Sequence, residues 1–250
     1  PLGCALDANR VMVAWSDDQA TTWNYVDVPI GEHTNDAGLI GGVSLDVDQD
    51  GRLYVVWTAT DQHVYLATTD DRGATWTGPL DITMPGVTTS TPRAQLAARE
   101  PGHIAVAYYG HEGDDASTLH GYLTESFDAD SPNPTFQSAQ LSAPGDPLYV
   151  PVSGGSLPRN DYLGVTIGPD GTPWTALVKL LSADPDQEGF VQSTGFAGRL
   201  AWADGGPKQA ASAAKATAPG ALPLPATGGG AAAVALAAFG AFRVLRSKRG

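Results

Sequence analysis

Short apolar runs of strand composition, broken by turn-forming residues, succeed one another along residues 1–202. The run 43–47 leads through Asp50-Gly51 into 53–57, then 63–68, then a polar turn, then 76–82. Asp-Gly between apolar runs is a strong hairpin signal, so this stretch predicts four strands in chain order. Runs at 94–98, 104–108, 119–124 and 136–141 predict a second four-stranded sheet. Runs at 161–167, 174–181 (entered through Asp170-Gly171), 190–193 and 199–202 predict a third. The segment 10–15 and the residues up to about 30 supply the closing strands of an earlier sheet.

A polar signature recurs where the third predicted strand of each group turns into the fourth. Thr69, Asp71, Gly73, Thr75 and Trp76 form one copy, and Ser16, Asp18, Ala20, Thr22 and Trp23 another. Ser126, Asp128, Thr135 and Phe136 form a looser third copy, with three residues inserted before the final pair. The copies start 53 and 57 residues apart, a period that signals stacked or radial repeats. An Asp in a tight turn accepts hydrogen bonds from nearby amides, and Ser or Thr does so more weakly. Gly73 takes a positive φ without steric cost, and Trp76 offers a broad apolar surface to a neighbouring sheet. The boxes therefore read as structural staples.

This pattern resembles the Asp-box, or bacterial neuraminidase repeat, of sialidases and related β-propellers. The resemblance implies an all-β fold, a β-propeller of four-stranded blades, six-bladed when complete. Three complete blades are expected here, with the closing strands of one before them. The chain opens at Pro1 without an initiator Met or a signal peptide, so it is expected to be N-terminally truncated.

Composition narrows the setting. The 30 Gly and 19 Pro favour turns, and 42% hydrophobic residues suffice for a core. A formal net charge of −13 argues against nucleic acid, whose phosphates call for a basic surface. The single cysteine, Cys4, rules out an intrachain disulfide. Leu2, Gly3 and Cys4 resemble the end of a lipoprotein signal, but no apolar region precedes them, and Cys4 is expected to be a small buried residue.

After residue 202 the pattern changes. Residues 203–223 are an Ala/Pro-rich linker, followed by Leu224, Pro225, Ala226, Thr227 and Gly228, a hydrophobic segment at 229–242 and a basic tail at 243–250. That order resembles the Gram-positive cell-wall sorting signal, in which a sortase cleaves between Thr and Gly and joins the Thr to peptidoglycan. The implied scissile bond is Thr227–Gly228, and the implied location is extracellular. From 228 to 242 a helix spans about 22 Å, short of the ~30 Å hydrocarbon core, although Arg243 and Arg246 can snorkel. A short C-terminal hydrophobic helix is expected, either removed by the sortase or kept as an anchor.

The resemblance also implies a site. In sialidases three arginines bind the substrate carboxylate, a Tyr paired with a Glu is the nucleophile, and an Asp serves as acid and base, at the mouth formed by loops entering each innermost strand and loops joining the second and third strands. Strand order maps Glu32, His33 and Asp36, then Arg93, then Arg159, Asn160, Asp161 and Tyr162 to that mouth. Asp61, His111, Glu112, Asp114, Asp115, Asp184, Asp186 and Glu188 come from the other loops. Arg93 and Arg159 are the candidates for substrate binding, and Tyr162 and Glu112 for nucleophile and base. The Arg-Ile-Pro or Arg-Leu-Pro signature of sialidases is absent from the chain.

Asp46, Asp48, Asp50 and Gly51 resemble the opening of a calcium loop, but position 12 is Trp57, where a bidentate Glu is required. A hairpin turn is the alternative reading. The five histidines lack metal-ligand spacing, and no phosphate loop or Gly-x-Ser-x-Gly elbow occurs, so no metal or cofactor is expected. Three functions remain open: a retaining exo-glycosidase of sialidase type acting on terminal acidic sugars, a non-catalytic adhesin that binds glycan or polysaccharide, and a structural wall protein whose propeller holds partner proteins.

Overall fold

The computed structural model describes residues 10–31, 41–113, 118–149, 163–183 and 191–200. The chain divides into two compact units, 1–208 and 209–250. Cys4, the linker and the sorting motif with its hydrophobic and basic segments lie outside the described residues.

The described residues are all β, with no helix among them. Strands β1 (Met12–Trp15) and β2 (Asn24–Asp27) form a first, two-stranded sheet. Strands β3 (Gly41–Val47), β4 (Leu53–Thr58), β5 (Val64–Thr69) and β6 (Thr77–Asp81) form a second, paired in chain order. Strands β7 (Val87–Ala98), β8 (Ile104–Glu112), β9 (His120–Ser126) and β10 (Gln137–Gln140) repeat that order in a third. The fourth holds β11 (Gly164–Ile167), β12 (Pro173–Ala183) and β13 (Val191–Arg199). All pairings are antiparallel. No described sheet closes on itself.

The fourth sheet differs from the expectation. The sequence pattern predicts two short strands across 190–202, yet Val191–Arg199 is one strand paired with β12 along its length. Gly195 lies in open space, while Gly198 lets the chain pass close to the side chain of Leu141.

Each sheet packs face to face on the next. Val11, Val13, Val28 and Ile30 of the first meet Val55, Trp57, Ala59, Tyr65 and Ala67 of the second. The other face of the second sheet, with Tyr54, Val56, Val64 and Leu66, meets Leu96, Val106, Tyr108 and Tyr122 of the third. Ala105, Ala107 and Leu123 then meet Ile167 of the fourth. Central strands covered on both sides carry continuous apolar sequence, as in β4 and β5. Each large side chain buried this way contributes about 1.5–3 kcal/mol.

Polar bonds set how the sheets align. Ser44 Oγ accepts from the Leu96 amide at 3.2 Å, and Asp46 Oδ2 from the Ala98 amide at 2.8 Å. The Asp-rich turn is a hairpin staple: Asp48 Oδ1 accepts from the amides of Asp50 and Arg52, each at 3.0 Å, and Asp48 Oδ2 accepts from the Tyr54 hydroxyl at 2.8 Å. Its carboxylate is thus committed to the turn and to Tyr54.

The three boxes share one bonding scheme. In the second, Thr69 Oγ1 donates to Asp71 Oδ1 (2.8 Å) and accepts from the Gly73 amide (2.9 Å), while the Thr75 amide and hydroxyl donate to Asp71 at 2.8 and 2.7 Å. Ser16, Asp18, Ala20 and Thr22 repeat these contacts. In the third, Thr135 still donates its amide to Asp128 at 2.8 Å despite the extra residues.

These bonds make the boxes acid-sensitive. Hydrogen bonds from Thr22 hold the Asp18 carboxyl down to about 2, and the Thr75 amide, then its hydroxyl, do the same for Asp71. Both lie below the unfolded value near 3.9. Their stabilisation is therefore fully present above about pH 4 and is lost as the pH falls towards about 2. Melting temperature followed from pH 5 to pH 2 should drop across that window, and less so in the double variant Asp18→Asn, Asp71→Asn. An equal drop in both proteins would place the acid sensitivity elsewhere.

The backbone of the boxes yields a paired test. Gly73 has φ +83°, and an added Cβ would lie 2.6 Å from Val26 Cγ1 and 3.1 Å from Trp76. Ala20 holds the matching position at φ 66°, where a Cβ crowds the carbonyl. Gly73→Ala should cost about 2–4 kcal/mol through strain and overpacking, whereas Ala20→Gly should gain about 1 kcal/mol. Urea unfolding of the two variants checks both signs.

Candidate functional site

The boxes and the first hairpin of each sheet share one end of the stack. The Gln49 amide donates to Arg99 O at 2.9 Å, Arg99 Nη1 reaches the carbonyls of Ile167 and Gly168, and the Ala129 amide donates to Gly102 O at 3.0 Å. Antiparallel pairing sends the β4–β5 turn, the β6–β7 connection and the end of β8 to the opposite end, the one to which strand order assigns the candidates.

That end is rich in paired polar groups. The Tyr65 hydroxyl donates to Asp61 Oδ2 at 2.6 Å, and the His63 amide donates to Asp61 Oδ1 at 3.2 Å. His63 Nδ1 lies 2.7 Å from Asp81 Oδ2, and the Thr83 amide donates to Asp81 Oδ1 at 2.9 Å. The next sheet joins in through Thr89, whose amide and hydroxyl both donate to the Gln62 carbonyl, at 2.8 and 2.7 Å. Burial, then the bond to Asp61, pushes the Tyr65 phenol up. It stays protonated at neutral pH and serves as a donor.

Glu112, the last residue of β8, is exposed opposite Val87. Its charge bears on His120 and Tyr122: burial lowers His120 while Glu112 acts to raise it, and burial then Glu112 push Tyr122 up to about 12. His120 Nδ1 lies 2.8 Å from Ser142 Oγ. His111 is 6% exposed, and its Nδ1 has no hydrogen-bond partner. Arg93 is half-buried on β7, within the register shift between Thr89 and Ala94.

Arg159 and Tyr162 lie outside the described residues, as do Glu32, His33, Asp36, Asp114, Asp115, Asn160, Asp161, Asp184, Asp186 and Glu188. Strand order alone does not single out Tyr65, Asp81 or His120. Asp61, His63 and Tyr65 do alternate with the strand period as they leave a turn, which is a readable signal. Asp81 joins them only through its pairing with Tyr65 in the β5–β6 register. Among the described residues no group of three His, Cys, Asp or Glu is arranged to hold a metal ion. Carboxylate acceptors beside phenol and imidazole donors suit hydrogen bonding to the hydroxyls of a sugar.

The structural likeness is to sialidases. An intramolecular trans-sialidase from Ruminococcus gnavus, solved with oseltamivir carboxylate, is 14% identical at a TM-score of 0.44, over 76% of this chain and 37% of its own. A variant of the NanB sialidase from Streptococcus pneumoniae is 15% identical at a TM-score of 0.48, over 77% of this chain and 27% of its own. A leech intramolecular trans-sialidase, solved with 2,7-anhydro-Neu5Ac, is 15% identical at a TM-score of 0.43, over 74% and 27%. This chain therefore spans 27–37% of the length of these sialidases. At this identity the likeness assigns no activity to it. No family model and no curated protein sequence matches the chain.

Proposed function

We propose a glycan-directed β-propeller of sialidase type, displayed outside a Gram-positive-type cell and acting as a retaining exo-glycosidase on terminal acidic sugars. The observation that carries this reading is the box: three copies with a common set of bonds to the Asp, each in the loop joining the last two strands of its sheet. That geometry leaves the opposite loops free to build a mouth. The order Leu224 to Gly228, apolar segment, basic tail supports display through a sortase and peptidoglycan.

The test is release of a fluorogenic aglycone from a sialic acid conjugate by the protein ending at Thr227. Turnover supports the glycosidase. A folded protein without turnover counts against it, and saturable glycan binding would then support the adhesin. Charge at the candidate mouth favours that second reading. Asp61, Asp81 and Glu112 set carboxylates at the same end, and these repel an anionic sugar.

A further inference from the structure

The turn between β7 and β8 carries a chain of charged groups that runs from the interior of the third sheet to the fourth. His103 is 1% exposed, and its ring stacks on Phe127 with centres 4.3 Å apart. Its Nε2 lies 2.8 Å from Glu125 Oε1, and its Nδ1 lies 3.3 Å from Glu100 Oε2. The Glu125 side chain, on β9, is fully buried, whereas that of Glu100 is 27% exposed. The other oxygen of Glu100 accepts from Arg99 Nε at 2.9 Å. Arg99 Nη1 in turn donates to the carbonyls of Ile167 and Gly168 in the fourth sheet.

Both ring nitrogens of His103 therefore face a carboxylate. A neutral imidazole donates from one nitrogen and accepts at the other, and only the imidazolium donates from both. The two bonds exist together only while the ring carries two protons. A ring left with one proton keeps it on Nε2, because Glu125 has no water to turn to and an uncompensated buried carboxylate is the costlier one. Nδ1 then presents its lone pair to Glu100 Oε2. Glu100 turns to solvent, and Arg99 loses its brace.

The charged groups around this turn agree in sign. Asp130 lies against Gly102, and Asp48 of the second sheet accepts from the Tyr54 hydroxyl, which itself accepts from the Gly102 amide at 3.1 Å. Asp128 of the third box follows Phe127, and Asp170 of the fourth sheet lies against Gly168. All four are carboxylates, which suit a positive ring.

We propose that His103 is a proton-operated latch between the third and fourth sheets: with two protons it holds Glu100, and through it Arg99, in place, and on losing the Nδ1 proton it lets that joint loosen. Histidine is the side chain whose charge ordinarily changes between about pH 5 and 8. The sign is opposite to that of the boxes. The boxes weaken as the pH falls, and the latch weakens as it rises, because its contribution requires the protonated ring.

The variant Glu100→Gln tests this in the full chain. The glutamine carbonyl still accepts from Arg99, and its amide donates to an Nδ1 that has lost its proton, so this variant keeps the joint closed over a neutral ring. Urea unfolding of the parent and of Glu100→Gln is measured from about pH 5 to pH 9. As the pH rises, the folding equilibrium constant of the parent should fall about tenfold relative to that of the variant, the worth of one charge-assisted hydrogen bond. The other histidines are common to both proteins, so their effects cancel. In parent protein labelled with 15N in histidine and arginine, loss of the His103 Nδ1 proton and faster exchange of the Arg99 Nε proton should follow one titration curve. Parallel stability profiles of the two proteins, or an Arg99 signal that does not follow the His103 ring, overturns the proposal.

Discussion

Replacing Trp57 with Ala is expected to lower stability by about 3–5 kcal/mol, a large share of what a domain of this kind holds. Trp57 is fully buried at the contact between the first and second sheets. It stacks on Tyr65 with ring centres 5.9 Å apart and planes 25° apart. Its removal opens a cavity against Val11, Val13, Val28 and Ile30, whose strands cannot close it without leaving their own register. The indole nitrogen has no hydrogen-bond partner, so Trp57→Phe forfeits no bond and should cost only about 1–2 kcal/mol. Urea unfolding with unchanged m-value checks both figures. A Trp57→Ala protein within about 1 kcal/mol of the parent would mean that the first sheet does not depend on this contact.

Strand order and boxes are legible in the sequence for the same reason: their physics is local. Asp48-x-Asp50-Gly51 and the Thr69 to Thr75 turn hold themselves by bonds between residues two to four apart. The long-range pairs of the polar end are not legible in that way. His63 meets Asp81 across 18 residues, Thr89 meets Gln62 across 27, and His120 meets Ser142 across 22. Such pairs depend on strand register and on how one sheet leans on the next, which the alternation of apolar and polar residues does not specify. The fourth sheet departs from its sequence pattern because Val191–Arg199 pairs with β12 as one strand, Gly198 passing close to Leu141 on the way.

The second large effect concerns the proposed chemistry. Arg93→Ala should cut kcat/KM for a sialic acid conjugate by about 10²–10³-fold with the melting temperature little changed. A guanidinium grips a carboxylate through two parallel bonds, a geometry that an ammonium cannot copy. Arg93→Lys should therefore recover only part of the loss. A neutral glycoside lacking the carboxylate should show no difference between Arg93 and Ala. Arg93 lies on β7 within the register shift between Thr89 and Ala94. Unchanged turnover of the acidic substrate in the Ala variant would remove Arg93 from the site.

The box turns also bear on the route by which the chain folds. Their side-chain bonds span two to seven residues, so each closes a loop of minimal entropy. The contacts that align sheets, such as Asp46 with Ala98 across 52 residues, close loops an order of magnitude longer. Hairpins tied off at the boxes can thus assemble one by one as the chain emerges, before any sheet has found its neighbour. At the opposite end the pairs His63 with Asp81, Thr89 with Gln62 and His120 with Ser142 form only once their strands have met.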